Sequence, residues 1–108
     1  MQLSQAEITQ QNQNKYLISG DVDFLTVPGL MKQASGFFRS CGQSEQAKIE
    51  IDLSQITACN SAGLALMLEM AKDARLNNIE LHFKNLPDAL LTIAKAYGVD
   101  SEIRDISQ

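Results

Sequence analysis

Few side chains in this sequence have the chemistry that catalysis or metal binding requires. His82 is the only histidine, and Cys41 and Cys59 are the only cysteines among the 108 residues. A catalytic triad or a zinc site needs several such groups at defined spacings, and these three residues match none of them. The six glycines form no phosphate-binding loop. The sequence therefore predicts a non-enzymatic protein with no metal site and no cofactor.

The two cysteines leave two interpretations open. A disulfide between Cys41 and Cys59 is one of them, and a pair of buried free thiols in a reducing compartment is the other. Both residues have apolar neighbours in the sequence. We favour the free thiols, because nothing else in the chain indicates a secreted protein stabilised by disulfides.

An acidic pair, Asp21 and Asp23, follows the first predicted hairpin. Paired carboxylates can transfer protons or bind cations, but two aspartates in a loop are usually turn residues. We expect the pair to lie in a loop near the functional site and to take no part in a reaction.

The segment Asn60-Ser61-Ala62-Gly63 is the most informative in the chain. Asn60 or Ser61 can cap a helix, and Gly63 allows another backbone or a partner's surface to approach closely. The Ser61 hydroxyl would lie in the positive field of the helix N-terminus, where a phosphate of roughly −2 charge is favoured. Plain helix capping explains the same residue types, so the segment by itself leaves both interpretations open.

The helix that follows, from Ser61 to Leu76, carries apolar residues on two sides. If Leu64 and Met67 face the core, Leu66 and Met70 lie one turn apart on nearly the opposite side. We therefore expect an exposed apolar patch, beside which small alanines let a partner helix come close. The predicted partner-binding residues are Asn60, Ser61, Ala62, Gly63, Ala65, Leu66 and Met70.

These residues must be positioned by a regular α/β framework. Strands are predicted at residues 7–10, 15–20, 48–53 and 79–83, and helices at 27–41, 61–76 and 87–97. Thr26 is expected to cap the first helix, Tyr97 to lie on the buried face of the third, and residues 102–106 to be a possible short edge strand. The strand-helix-strand run from Lys48 to Phe83 calls for parallel pairing. We predict an α/β fold with a mixed sheet of four to five strands and three or four helices, packed mainly on one face.

Composition limits the possible partners. The formal charge is −4 and the nine Lys and Arg residues are scattered, so nucleic-acid binding is not expected. The N-terminus is polar and resembles no secretory signal, and no apolar run approaches the roughly 20 residues that span a bilayer. We expect one domain over residues 1–108, with 1–5 as a loose extension, in a cytoplasmic protein that reaches a membrane only through a partner.

Three motifs carry a family resemblance. Gly20-Asp21-Val22-Asp23, Ile51-Asp52-Leu53-Ser54 and Asn60-Ser61-Ala62-Gly63-Leu64 resemble, in order and spacing, the signature of STAS domains. That fold occurs in anti-sigma-factor antagonists and at the C-termini of sulphate transporters, and the resemblance covers about residues 6 to 106. The runs at residues 63–68 and 91–97 look most like the MlaB branch. Its members are cytoplasmic subunits of a Gram-negative ABC transporter that moves phospholipids to maintain outer-membrane lipid asymmetry.

The resemblance implies two alternative partners. An MlaB-like protein binds and supports the ATPase subunit of its transporter, whereas an antagonist is phosphorylated by a kinase-like anti-sigma factor at the position that Ser61 occupies. Antagonists usually carry aspartate immediately before that serine, and here the position is Asn60. Asparagine still caps a helix but lacks the charge, so we favour the transporter subunit over the phosphorylation switch.

Overall fold

The computed structural model of the chain describes residues 5–41 and 47–107, and this part contains four strands and four helices. In chain order they are β1 (Ala6–Asn12), β2 (Lys15–Val22), α1 (Val27–Cys41), β3 (Ala47–Cys59), α2 (Ser61–Leu76), β4 (Ile79–Lys84), α3 (Asp88–Ala96) and α4 (Asp100–Asp105). The predicted order of strands and helices is therefore confirmed up to the end of α3.

The four strands form one mixed sheet in the order β1-β2-β3-β4. β1 and β2 are antiparallel and are joined by a tight turn, in which the Asn12 side chain accepts a hydrogen bond from the Asn14 backbone N–H at 3.0 Å. β2, β3 and β4 run parallel to one another. Parallel neighbours need a long crossover connection, and α1 and α2 supply the two crossovers. The fold is α/β, as predicted.

The two faces of the sheet differ sharply. Alternate residues along each strand point to opposite faces, and on one face they are apolar and buried beneath the helices. This buried face consists of Ile8, Tyr16, Ile18, Val22, Ile49, Ile51, Leu53, Ile79, Leu81 and Phe83. The open face carries charged residues, including the ion pair between Lys84 Nζ and Glu50 Oε1 at 3.1 Å. The helices thus pack on one side, and the sheet leaves its polar side to solvent.

β3 is longer than the sequence pattern indicates. The prediction that it ends at Leu53 is wrong, because the strand continues to Cys59. Apolar alternation stops after Leu53, where Ser54 and Gln55 are both exposed, so the sequence carries no strand signal there. Pairing with β2 maintains the extension, up to the pair formed by Val22 and Cys59. β3 therefore leads directly into the start of α2.

The tail forms α4 and not the possible edge strand. An ion pair of 3.4 Å joins Arg104 to Asp100 one turn earlier, an arrangement that supports a helix. Ser107 then makes a single parallel bridge to Phe83 in β4, and the Phe83 N–H donates to the Ile106 carbonyl at 2.7 Å. The last described residues therefore close part of the outer edge of β4.

Two expectations concern residues that the structure does not describe. Residues 1–4 belong to the expected loose extension, and Gly42 follows the predicted end of the first helix at Cys41. Gln5 is described, and its carbonyl accepts a hydrogen bond from the Asp21 N–H at 2.9 Å. Within 5–41 and 47–107, no helix combines the length and the apolar character needed to cross a bilayer.

Candidate functional site

The junction of β3 and α2 is organised by Asn60. Its side-chain Oδ1 accepts a hydrogen bond from the Ala62 N–H at 2.9 Å, and its carbonyl accepts one from the Gly63 N–H at 2.9 Å. Asn60 is therefore the N-cap, and two amide groups of the first turn are already bonded. Ser61 is the first helical residue and is half-buried, and its hydroxyl bonds to no other described residue. That hydroxyl is available at the surface.

Gly63 makes room for the protein's own core and not for a partner. The residue is buried, and a Cβ built on it would overlap Cys59 Sγ. The same Cβ would lie 3.4 Å from Val22 Cγ1 and 3.8 Å from Leu90 Cδ1. The expectation that a partner's surface approaches Gly63 is thus wrong, since the close approach occurs within the chain. Ala62 is also buried, at 4% exposure.

The expected patch of Leu66 and Met70 is not at the surface. Their exposed fractions are 3% and 0%. α2 contacts α1, α3 and β4, so it buries far more than one apolar stripe. A helix wheel that assumes burial on one side cannot detect this. Both side chains are covered by the protein's own core, so both leave the set of candidate partner-binding residues.

The exposed side of α2 borders an apolar groove of about 440 Å³. Its wall is formed by Phe24, Ser61, Ala62, Leu64, Ala65, Leu68, Tyr97 and Val99. Phe24 is 70% exposed and Tyr97 is 65% exposed, although large aromatic side chains are usually buried. Ser61 contributes the one hydroxyl of α2 to a wall that contains no charged side chain. The groove, together with Ser61 at its rim, is the candidate functional site.

Sequence reasoning missed both aromatic residues of this groove. Tyr97 was expected on the buried face of α3, but it follows the last helical residue and points outward. Phe24 lies in a turn, where periodicity gives no information. Two large apolar residues, Phe24 and Leu25, follow Asp23 directly in a short turn, and that signal could have identified Phe24. Ser61 and Ala65 are the predicted partner-binding residues that both line the groove and retain exposed surface.

The acidic pair lies beside the junction, as expected, but its two members differ. Asp21 belongs to β2 and not to a loop, and its Oδ1 accepts a hydrogen bond of 2.6 Å from the Thr57 hydroxyl in β3. Asp23 lies in the turn after β2 and caps this turn, which leads into α1, whereas the cap of the first helix was predicted at Thr26. Both aspartates line a small cleft of about 220 Å³ next to Asn60. The pair therefore supports the local backbone.

The remaining reactive side chains lie apart from one another. Cys41 and Cys59 are free thiols, both half-buried, as favoured from the sequence. Burial raises the pKa of the Cys59 thiol, which keeps it protonated near neutral pH. His82 lies on the open face of the sheet, with its Nε2 3.1 Å from Glu80 Oε2. Among the described residues, no three His, Cys, Asp or Glu side chains are arranged to hold a metal ion.

Comparison with known proteins identifies the family. The family model described as "Mlab, STAS domain" matches residues 9–105. The chain belongs to the MlaB-like STAS domains. This STAS domain also resembles the anti-sigma factor antagonist SpoIIAA in its unphosphorylated form, with a TM-score of 0.67 and 11% identity over 96% of this chain and 86% of that one. An anti-sigma factor antagonist from Mycobacterium paratuberculosis matches with a TM-score of 0.64 and 19% identity, over 93% and 82%.

These matches confirm the resemblance read from the three sequence motifs. At such low identity, the two solved structures show the fold alone. STAS domains are generally non-enzymatic domains that mediate protein–protein interactions. A protein-binding surface is therefore the kind of functional site that we expect on this STAS domain.

Proposed function

We propose that this STAS domain is a non-enzymatic cytoplasmic subunit that binds and supports the ATPase of an ABC transporter moving phospholipids to maintain outer-membrane lipid asymmetry. The observation that carries the proposal is the apolar groove beside Ser61, with two exposed aromatic residues at its rim. The MlaB-like family match supports this class of partner.

The groove offers enough apolar surface for specific binding. Aromatic side chains present about 150–250 Å² each, so Phe24 and Tyr97, roughly two-thirds exposed, can each bury on the order of 100–150 Å². At about 25 cal/mol per Å², that is about 3 kcal/mol per ring, the size of a binding hot spot. Ala65 and Leu68 line the same groove and let a partner's side chains reach α2. Ser61 supplies a hydrogen bond that fixes the register.

The surroundings of Ser61 favour a constitutive contact over a phosphorylation switch. No Lys or Arg lines the groove to stabilise a phosphate, and the Ala62 and Gly63 amide groups already have acceptors. The acidic cleft that contains Asp21 and Asp23 adjoins the junction at Asn60 and would raise the electrostatic cost of two further negative charges. Each of these features acts against an anion at Ser61.

The alternative is an anti-sigma-factor antagonist controlled by phosphorylation of Ser61 by a kinase-like anti-sigma factor. It is favoured by the available hydroxyl of Ser61 at the positive end of a helix of 16 residues. Intact-protein mass spectrometry of the chain purified from its own cells separates the two functions. A gain of one phosphate on Ser61, together with loss of partner binding in Ser61→Asp, would favour the antagonist.

Binding to the purified ATPase subunit of the same organism tests the favoured function. Ala65→Asp places a charge in the groove and should weaken binding more than tenfold in isothermal titration calorimetry, because the carboxylate must be desolvated. Thr92→Asp is the matched control, since Thr92 is exposed on α3 and does not line the groove. Equal binding by both variants would show that the groove is not the docking surface, and no binding by the unmodified chain would refute the proposed function. Leu66→Asp would not test the groove, because Leu66 is buried in the core.

A further inference from the structure

The turn that carries Phe24 is held by reciprocal hydrogen bonds between Asp23 and Thr26. Asp23 Oδ1 accepts from the Leu25 N–H at 2.9 Å and from the Thr26 N–H at 3.1 Å. In return, Thr26 Oγ1 accepts from the Asp23 N–H at 3.0 Å. This exchange is a capping box, in which the cap and the third residue of the following turn satisfy each other's backbone groups. Phe24 lies between Asp23 and Thr26 in the chain, so the capping box fixes the backbone on both sides of it.

The capping box is also attached to the sheet. The Thr26 hydroxyl donates to the Asp21 carbonyl at 2.8 Å, and the Asp21 side chain accepts a hydrogen bond from Thr57 in β3. The Asp23 carbonyl accepts from the Val27 N–H at 3.0 Å, which continues the turn into α1. The backbone around Phe24 is therefore bound to β2, β3 and α1 at once. Such a turn has little freedom, although its Phe24 side chain is 70% exposed.

We propose that Asp23 and Thr26 are positioning residues, which hold Phe24 over the groove in its binding conformation before the partner arrives. The inference deepens the proposed function and rests on it. An aromatic residue on a flexible turn must be ordered during association, and that cost lowers the affinity. Here the fold has ordered the turn in advance. The Asp23 carboxylate acts through its hydrogen bonds to the backbone.

Affinity measurements with the same ATPase subunit test the positioning role. Loss of an aspartate cap weakens the turn enough that Asp23→Ala should bind roughly fivefold to tenfold less tightly. Asp23→Asn keeps the accepting oxygen and should bind within about twofold of the unmodified chain, since the two side chains cap equally well. In a Phe24→Ala background, Asp23→Ala should cause no further loss, because the residue that it positions is gone.

A measurement without the partner provides the second readout. Hydrogen exchange of the Leu25 amide, followed by NMR, should become faster in Asp23→Ala and in Thr26→Val but not in Asp23→Asn. The positioning role is overturned if Asp23→Asn binds as weakly as Asp23→Ala, if the losses in the double variant add, or if the Leu25 amide exchanges at an unchanged rate. If Phe24→Ala binds normally, Phe24 is not part of the docking surface and the positioning role is overturned; if the unmodified chain does not bind the ATPase subunit, the proposed function itself fails.

Discussion

Gly63→Ala tests the close packing of the protein's core against Gly63 at the start of α2. The added methyl group would overlap Cys59 Sγ, so this side chain must shift, and the methyl group would lie in contact with Val22 Cγ1 at 3.4 Å. Overpacking of this kind costs about 1–3 kcal/mol, against a gain of up to about 1 kcal/mol from replacing glycine in a helix. We expect a net loss of about 1–2 kcal/mol in the free energy of unfolding. For a domain of this size, the melting temperature should fall by roughly 5–10 °C.

Two further variants make this prediction specific. Gly36→Ala, in the exposed middle of α1, meets no atom within 4 Å and should raise the free energy of unfolding by roughly 0.5–1 kcal/mol. Adding Cys59→Ala to Gly63→Ala removes the overlapping sulfur and should recover most of the lost stability. Urea denaturation of the four proteins measures these differences. A Gly63→Ala variant as stable as Gly36→Ala, or one that Cys59→Ala does not rescue, would refute the packing argument.

Three other perturbations have defined outcomes. Asn60→Ala should lower the free energy of unfolding by about 1 kcal/mol in urea denaturation, while Asn60→Asp, which also caps, should leave it nearly unchanged. Burial alone would raise the pKa of Asp52, but hydrogen bonds, first among them that from Asn85, lower it overall. The stability that this lowered pKa provides is complete above the unfolded pKa of about 4 and is lost as the pH falls through the lower folded value. In acid unfolding, the stability advantage of the unmodified chain over Asp52→Asn should therefore shrink between about pH 5 and pH 2. Burial, and after it the contact with Cys41, raises the pKa of Tyr16 to about 12. The stability that this raised pKa provides is complete below the unfolded pKa of about 10 and is lost as the pH rises towards 12. Tyr16→Phe should abolish this pH dependence in alkaline denaturation.

Local pattern was sufficient for most of the architecture. The apolar alternation at Ile49 and Ile51, and the helical period after Ser61, identified the central crossover because each signal lies within a single element. The cap at Asn60 was equally local, since the residue type and the following helix are adjacent in the chain. The STAS motifs then gave the family, which the family model confirms.

The surface of the site could not be predicted in the same way. Leu66 and Met70 looked exposed because a helix wheel shows one helix, whereas α2 packs against α1, α3 and β4 and both residues are buried. The groove depends on Phe24 and Tyr97, which are 73 positions apart in the chain and meet α2 only in the folded protein. Three segments that are distant in sequence form this surface, so no single periodic pattern describes it.

The short contact between the tail and β4 has a consequence for self-association. An open sheet has two outer strands whose unpaired backbone groups can recruit another chain, and an apolar outer strand is the more hazardous template. β4 is one of these outer strands, in which the buried Ile79, Leu81 and Phe83 alternate with polar and charged residues. The hydrogen bond from the Phe83 N–H to the Ile106 carbonyl occupies its carboxyl-terminal end. The tail thus covers part of this edge, and a chain shortened before Ile106 would expose a longer template for intermolecular strand addition.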